Sequence, residues 1–366
     1  MSRPIRARID HAALRHNLAV VRQQAGAARS WCVVKADAYG HGLLPAVLAL
    51  TDVADGFALI ELEAAVMLRD QGIRQPILLL EGFYQAEEIA LFAECELTPV
   101  LHSLWQVEAL AAARLPVGIP VYLKIETGMH RLGIAATDLP RALQWLEISG
   151  AASSITLMTH FADADDERGI SEQLKRFRAI TAGMTLPTSM ANSAALLRFP
   201  AELEFNAGDW VRPGIMLYGS SPFPAMKSAA ELGLRPVMTL ESQIIAIREL
   251  EAGDRVGYGG SFIAEAPMRV GIVACGYGDG YPRHAPTGTP VSVGGQRTRT
   301  LGRPSMDKLC VDLTDLEKVG VGDAAVLWGG DANAGVPADE VAQAAGTIAY
   351  ELFCALAGRV PVDYSS

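Results

Sequence analysis

The sequence predicts a (β/α)8 barrel followed by a mostly β C-terminal domain. Eight apolar, strand-like runs recur about 25 residues apart, each linked to the next by enough chain for a helix, and eight strand-helix units are the signature of that barrel. After Pro236 the texture changes to closely spaced β-type runs separated by glycine-rich turns, which reads as a second, largely antiparallel unit. A doubly wound open sheet satisfies the same strand-helix alternation. The chain has 366 residues, more than one domain usually holds, and 50% of them are apolar, so one large and one smaller core are expected.

Taken in order, Asp10 is placed to cap a helix with Leu14, Leu18 and Val21 on one face and Gly26 at its end. The eight strands are expected over 31–35, 56–60, 76–80, 97–102, 121–126, 155–160, 186–191 and 210–217. Active sites in such barrels gather at the C-terminal strand ends, which here carry Lys35, Lys124, His160, Asn192 and Arg212. The second unit shows β-type runs at 237–247, 269–274, 290–293 and 309–313. A helix is expected over 338–358, with Val341, Ala345, Ile348 and Leu352 on its apolar stripe. The barrel is assigned to 10–235 and the β domain to 236–366, with an amphipathic strand within 1–9 joining the latter.

The first strand carries the strongest chemical signal. Trp31, Cys32, Val33 and Val34 form an apolar run that ends on Lys35, one of six lysines. An ammonium approached through apolar surroundings is expected to have a lowered pKa and to act as a nucleophilic amine able to form a Schiff base. Tyr39 and the amides around Gly40 and Gly42 could receive an anion just beyond it. A lysine snorkelling out of a strand end is the plain alternative.

Composition narrows the rest. A net charge of −10 and a pI near 5.3 argue against nucleic-acid or anionic-membrane partners and for a small-molecule ligand. With no apolar leader-like run and no membrane span, the expected location is cytoplasmic. The five cysteines are scattered, with no CxxC pair, and are expected to be buried thiols; no metal site is expected. No GxGxxG, GxxxxGK, HExxH or GxSxG occurs, which removes the usual support for nucleotide binding, zinc hydrolysis and serine hydrolysis. A barrel with a lysine ending its first strand points instead to carbonyl or pyridoxal phosphate chemistry.

Nine blocks, WCVVKADAYGHG, YLKIETGMHRLG, MTHFADAD, ANSAA, DWVRPGIMLYG, VGYGG, GYGDGYPR, SMD and AYELFC, occur in the order found in alanine racemases and cover nearly the whole chain. The chain resembles that family. The resemblance implies a pyridoxal 5′-phosphate (PLP) isomerase interconverting L- and D-alanine, for peptidoglycan or alanine catabolism, in a head-to-tail homodimer with shared sites. Lys35 would hold the cofactor as a Schiff base and handle the proton on one face of alanine; Tyr258, from the other subunit, would serve the opposite face. Acids on both faces avoid any need to rotate the planar carbanion. A tyrosine starts near a pKa of about 10 and needs help, which His160 and Arg212 would supply through a hydrogen-bonded chain.

The resemblance also gives Arg212 a bond to the pyridine nitrogen, which a guanidinium leaves unprotonated and so a weaker electron sink. That disfavours transamination, and a decarboxylase of this fold would be expected to carry an acid there. The phosphate would be held by Tyr39, Ser193, Gly214, Ile215 and Tyr350, with Asn192 beside them shaping the turn. Arg131 would meet the cofactor's phenolic oxygen and the substrate carboxylate, and Met306 of the second subunit would offer the carboxylate a backbone amide. Lys124 is carbamylated in many members, which would relieve its like-charge conflict with Arg131. Asp165, Tyr277 and Arg283 match positions lining the access corridor. A non-catalytic PLP carrier on the same barrel would leave the β domain and Tyr258 unexplained.

Overall fold

A computed structural model describes residues 3–331 and 334–365. The chain divides into two units, one of Leu18–Ala38 and Ala46–Leu217, the other of Met1–Asn17, Tyr39–Pro45 and Tyr218–Ser366. Strand β1 (Arg6–Asp10) leads into helix His11–Ala25; the Asp10 carboxylate accepts the Ala13 N–H at 2.9 Å, and Gly26, at φ 58°, ends the helix.

The first unit is a parallel barrel of β2 (Arg29–Val33), β3 (Gly56–Leu59), β4 (Ile77–Leu79), β5 (Leu97–Leu101), β6 (Ile119–Lys124), β7 (Ala152–Met158), β8 (Thr188–Ser189) and β9 (Trp210–Val211). Neighbours in sequence pair from β2 to β8, and β9 returns to β2. A bridge between Asn192 and Arg212, with the Arg212 N–H donating to the Ala191 carbonyl at 2.8 Å, joins the last two strand ends and closes the ring. Every residue of β3, β4 and β5 is buried, as a parallel sheet covered on both faces requires. Within the core, Trp31 stacks on Trp210 with centroids 4.1 Å apart and donates its Nε1–H to the Tyr122 hydroxyl at 2.8 Å. The expected strand at 210–217 shortens to two residues. Pro213 has no N–H with which to continue a ladder, and the chain turns into a 3-10 helix at Ile215–Tyr218.

The second unit is built on β10 (Met238–Leu250), followed by a small hairpin of β11 (Arg255–Val256) and β12 (Phe262–Ile263), then β13 (Met268–Val273), β14 (Pro290–Val293), β15 (Gln296–Leu301), β16 (Leu309–Asp312), β17 (Ala324–Trp328) and β18 (Val362–Ser365). β10 pairs with β1, β17 and β13, and β13, β16, β15, β14 and β17 lead in turn back to β10, so six antiparallel strands close a ring. Register shifts at Leu240/Glu241 and Ile244/Ala246 let one long strand bend between these partners. β1 lies between β10 and a parallel β18.

Two local expectations are corrected. The helix expected over 338–358 is two helices, Ala338–Ala344 and Ala349–Cys354, broken where Gly346 takes φ 71°. The cysteines are all free but not all buried: Cys32 and Cys275 are, whereas Cys354 is exposed. Among the described residues no helix is long and apolar enough to cross a membrane.

Gly40 and Gly26 separate conformational strain from collision. Both have positive φ, but a Cβ on Gly26 meets open space, whereas one on Gly40 runs into the backbone carbonyl of Phe353. Gly26→Ala is expected to cost about 1 kcal/mol, and Gly40→Ala about 3 kcal/mol or more. Thermal unfolding midpoints should rank wild type, Gly26→Ala, Gly40→Ala in falling order; equal losses would contradict the packing at Gly40.

Candidate functional site

The apolar strand β2 delivers Lys35 two residues beyond its end, half-exposed, and the chain then does something its composition does not announce. Ala36, Asp37, Ala38 and Tyr39 take φ of 52°, 54°, 53° and 54°, a left-handed helical turn made without glycine. Such backbone costs about 1–2 kcal/mol per residue and is held only where surroundings over-determine it. The Ala38 N–H donates to the Val34 carbonyl at 2.9 Å. In the β unit, Tyr39 is buried, its ring 4.7 Å from that of Tyr218 and 5.8 Å from that of Tyr350. Burial pushes the Tyr39 phenol above its ordinary pKa, so it stays a protonated donor.

In the barrel unit the centre is Arg212, immediately after β9 and buried. Its Nη1 donates to the Ser189 carbonyl and hydroxyl, both at 2.7 Å; its Nη2 donates to the Thr159 carbonyl at 2.6 Å and the Met190 carbonyl at 3.2 Å. Nη2 also approaches His160 Nδ1 at 3.3 Å. Because a guanidinium only donates, Nδ1 is the acceptor and the imidazole proton sits on Nε2. The Nε–H of Arg212 has no acceptor among the described residues. Burial lowers the Arg212 pKa to about 10, which leaves it charged at neutral pH.

Other cations share this strand-end face. His160 is held well below its ordinary pKa by burial and then by Arg212, Lys124, Arg131 and Lys35, so it is neutral. Lys124, the last residue of β6, is buried, and desolvation followed by Arg212 and Arg131 lowers its pKa to about 8. Arg131 is exposed on a loop that Ile134 returns to β6 by donating to the Lys124 carbonyl at 2.7 Å; it makes no hydrogen bond or ion pair among the described residues. Glu81 and Glu126 are the acids that oppose this field at Lys124. Four cations around a neutral imidazole suit an anionic ligand.

Ser193 and Gly214, from the turns after β8 and β9, converge: the Gly214 N–H donates to Ser193 Oγ at 2.9 Å, next to the buried Ile215. Asn192 is committed elsewhere, its Oδ1 accepting the Ala195 N–H at 2.9 Å and its Nδ2 donating to the Phe161 carbonyl at 3.3 Å. Asp165 is an exposed residue of this unit. In the β unit, Tyr258 sits at the tip of the β11–β12 hairpin between glycines 257 and 259, both at φ 73°, and is 75% exposed. Met306 is 53% exposed, Tyr277 38%, and Arg283 is exposed.

Sequence reasoning missed the supports behind these groups. Gln173 is buried, accepts the Ala162 N–H at 2.7 Å and donates to Thr127 Oγ1 at 3.0 Å and the His160 carbonyl at 3.1 Å, bracing the segment that carries His160. Its position on the inner face of helix Ser171–Ile180, beside Leu174 and Phe177, was the available signal. Ser189 gave none beyond being a polar residue inside a strand. Among the described residues no His, Cys, Asp and Glu cluster could hold a metal.

Residues 9–222 match the family model described as alanine racemase, N-terminal domain, and residues 237–364 the one described as alanine racemase, C-terminal domain. The chain belongs to the alanine racemase family. It is 54% identical over 366 residues to an alanine racemase of Nitrosomonas eutropha, covering 99% of both chains, and 52% identical to one of Pseudomonas fluorescens, again over 99% of both. Among solved structures it is similar to a biosynthetic alanine racemase from Pseudomonas aeruginosa, at 46% identity and a TM-score of 0.93 over the whole of both chains. The barrel and the β unit are thus those of alanine racemases, and the chain is an amino-acid racemase, an isomerase.

Lys124 offers a direct test of the field at this site. An amine whose pKa falls on folding leaves the unfolded chain binding more protons between the two values, so its cost is full below about pH 8 and fades as pH rises towards the ordinary lysine range. The stability of Lys124→Met relative to wild type should therefore drop by about 2 kcal/mol between pH 7 and pH 10 in carbonate-free buffer. A difference independent of pH would mean that Lys124 is not desolvated among cations.

Proposed function

We propose that this chain interconverts L- and D-alanine by a two-base mechanism in a homodimer that holds PLP, with Lys35 acting on one face of the substrate and the partner subunit's Tyr258 on the other. The observation that supports the reading most is the donor inventory of Arg212: every guanidinium donor is spent on the protein except Nε–H, and that one fits a group that only accepts, such as an unprotonated ring nitrogen. The remaining residues fit the same group. Lys35 would carry it. Tyr39, Tyr350, Ser193 and the amides of Gly214 and Ile215 would take its phosphate, with Asn192 capping the adjacent helix, and Arg131 its phenolic oxygen. When bound, PLP draws electron density from the substrate Cα and makes its proton removable.

The chain's own residues then divide the proton work. The Lys35 amine removes or returns the α-proton on its face. On the other, the Nε2–H of neutral His160 can donate to the partner Tyr258 oxygen and stabilise the phenolate needed for a base, and Arg212, donating to Nδ1, fixes that tautomer. A glycine-flanked, 75% exposed tyrosine on a hairpin tip suits a residue that serves another subunit. Arg131 and the Met306 amide of the partner would fix the substrate carboxylate. Asp165, Tyr277 and Arg283 would line the way in. Lys124, whose lowered pKa leaves a larger neutral fraction than an ordinary lysine has, could add CO2 through that fraction and release a proton to solvent; the resulting carbamate anion would pair with Arg131. Five free cysteines and the absence of a membrane-spanning helix among the described residues fit a cytoplasmic enzyme supplying D-alanine for peptidoglycan or serving alanine catabolism.

Subunit mixing tests the shared site. Lys35→Ala and Tyr258→Ala dimers should each be nearly inactive. After exchange, about half of the dimers are hybrids with one intact site of two, restoring roughly a quarter of wild-type activity if the sites are independent. No recovery despite confirmed exchange would mean that one chain supplies both bases.

A further inference from the structure

We infer that Asp279, clasped by Arg3 and Arg359, is the positioning residue for the Met306 amide and through it for binding of the substrate carboxylate. The inference rests on the reading of Met306 given above and adds the device that aims it. All the groups lie in the β unit.

Asp279 is fully buried, and its carboxylate accepts from Arg3 Nη1 at 2.8 Å and Nη2 at 2.9 Å, from Arg359 Nε at 2.8 Å and from the Gly276 N–H at 3.0 Å. Burial alone would raise its pKa; the bonds from Arg3, Gly276 and Arg359 outweigh that and keep it ionised. This closes the turn 276–280 on itself. The turn in turn grips the segment 305–307: the Tyr277 N–H donates to the Ser305 carbonyl at 3.0 Å, and the Gly278 N–H to the Met306 carbonyl at 2.8 Å. Arg359 Nη2 bridges to the Asp307 carboxylate at 2.7 Å and the Met306 carbonyl at 3.4 Å.

The geometry is specific to one donor. The Ser305 carbonyl and the Met306 N–H belong to a single planar trans peptide and point in opposite directions. Holding the carbonyl on Tyr277 therefore directs the Met306 N–H away from the turn, and that N–H has no acceptor among the described residues. The peptide on the other side of Met306 is held through its carbonyl by Gly278. Both peptides flanking Met306 are fixed while its amide proton is left to be offered. The approach is too close for side chains, since a Cβ on Gly276 would strike the Ser305 carbonyl and one on Gly278 would lie 2.7 Å from Arg359 Nη2.

A carboxylate contact is the same in the ground and transition states, so loosening it should raise KM and spare kcat. Arg3→Ala and Asp279→Asn holoenzymes are expected to show faster hydrogen exchange in peptides covering 276–281 and 305–308, with KM for both alanine enantiomers raised about tenfold, kcat within about twofold, and partial recovery in Arg3→Lys. Arg3 is partly exposed, so its variant should keep the wild-type unfolding midpoint closely enough if Asp279→Asn does not fold. Faster exchange with unchanged KM, or unchanged exchange in both peptides, would overturn the inference while leaving the Met306 reading intact. Met306→Pro, which deletes the amide, separates the two: an unchanged KM there would overturn the Met306 reading and the inference with it.

Discussion

A guanidinium buried at the end of β9 is the constraint on which the barrel face depends. Burying that charge is tolerable only because the ends of β7 and β8 turn three carbonyls and a hydroxyl towards it, at Thr159, Ser189 and Met190. Those same contacts tie together the strands that the backbone joins by a single bridge, between Asn192 and Arg212. One residue thus closes the ring, sets the tautomer of His160 and adds to the burial that depresses the pKa values of His160 and Lys124. Replacing it by a neutral residue of similar size would leave several carbonyls unpaired and remove one of the charges that lower the pKa values of His160 and Lys124.

The second constraint is strain held where the chain leaves β2. Four non-glycine residues in the left-handed region cost several kcal/mol together at about 1–2 each. What compensates is packing beyond the turn: Tyr39 is buried against Tyr218, and Gly40 brings the backbone against Phe353. Strain of this kind persists at sites where it fixes a geometry that an ordinary helix would not give. Here it lies in the chain between Lys35 and Tyr39, one residue proposed to hold the cofactor and the other its phosphate.

The barrel was legible because parallel strands covered on both faces are continuous apolar runs, and all eight appear where such runs occur; each ends one to six residues before the expected end, and β2, β6 and β7 begin two or three residues earlier than expected. Arg212 stood out for the same reason, as a cation inside WVRPGIMLYG. What was not legible depends on partners distant in sequence. Asp279 in GYGDGY looks like an ordinary turn residue, and only the fold reveals arginines 276 and 80 residues away. The left-handed turn was hidden because Ala, Asp, Ala and Tyr carry no mark of positive φ. The break at Gly346 was passed over because the apolar stripe from Val341 to Leu352 continues across it.

The central claim is that two separate side chains move the α-proton, one on each face of alanine. The most direct measurement is the isotopic content of the first D-alanine formed from α-protiated L-alanine in D2O, at a few per cent conversion. Two bases predict that this D-alanine carries α-deuterium from solvent, with almost no transfer of the substrate's own proton. D-alanine that retains the original α-protium in substantial yield would show a single base carrying the proton from face to face, and would contradict the account.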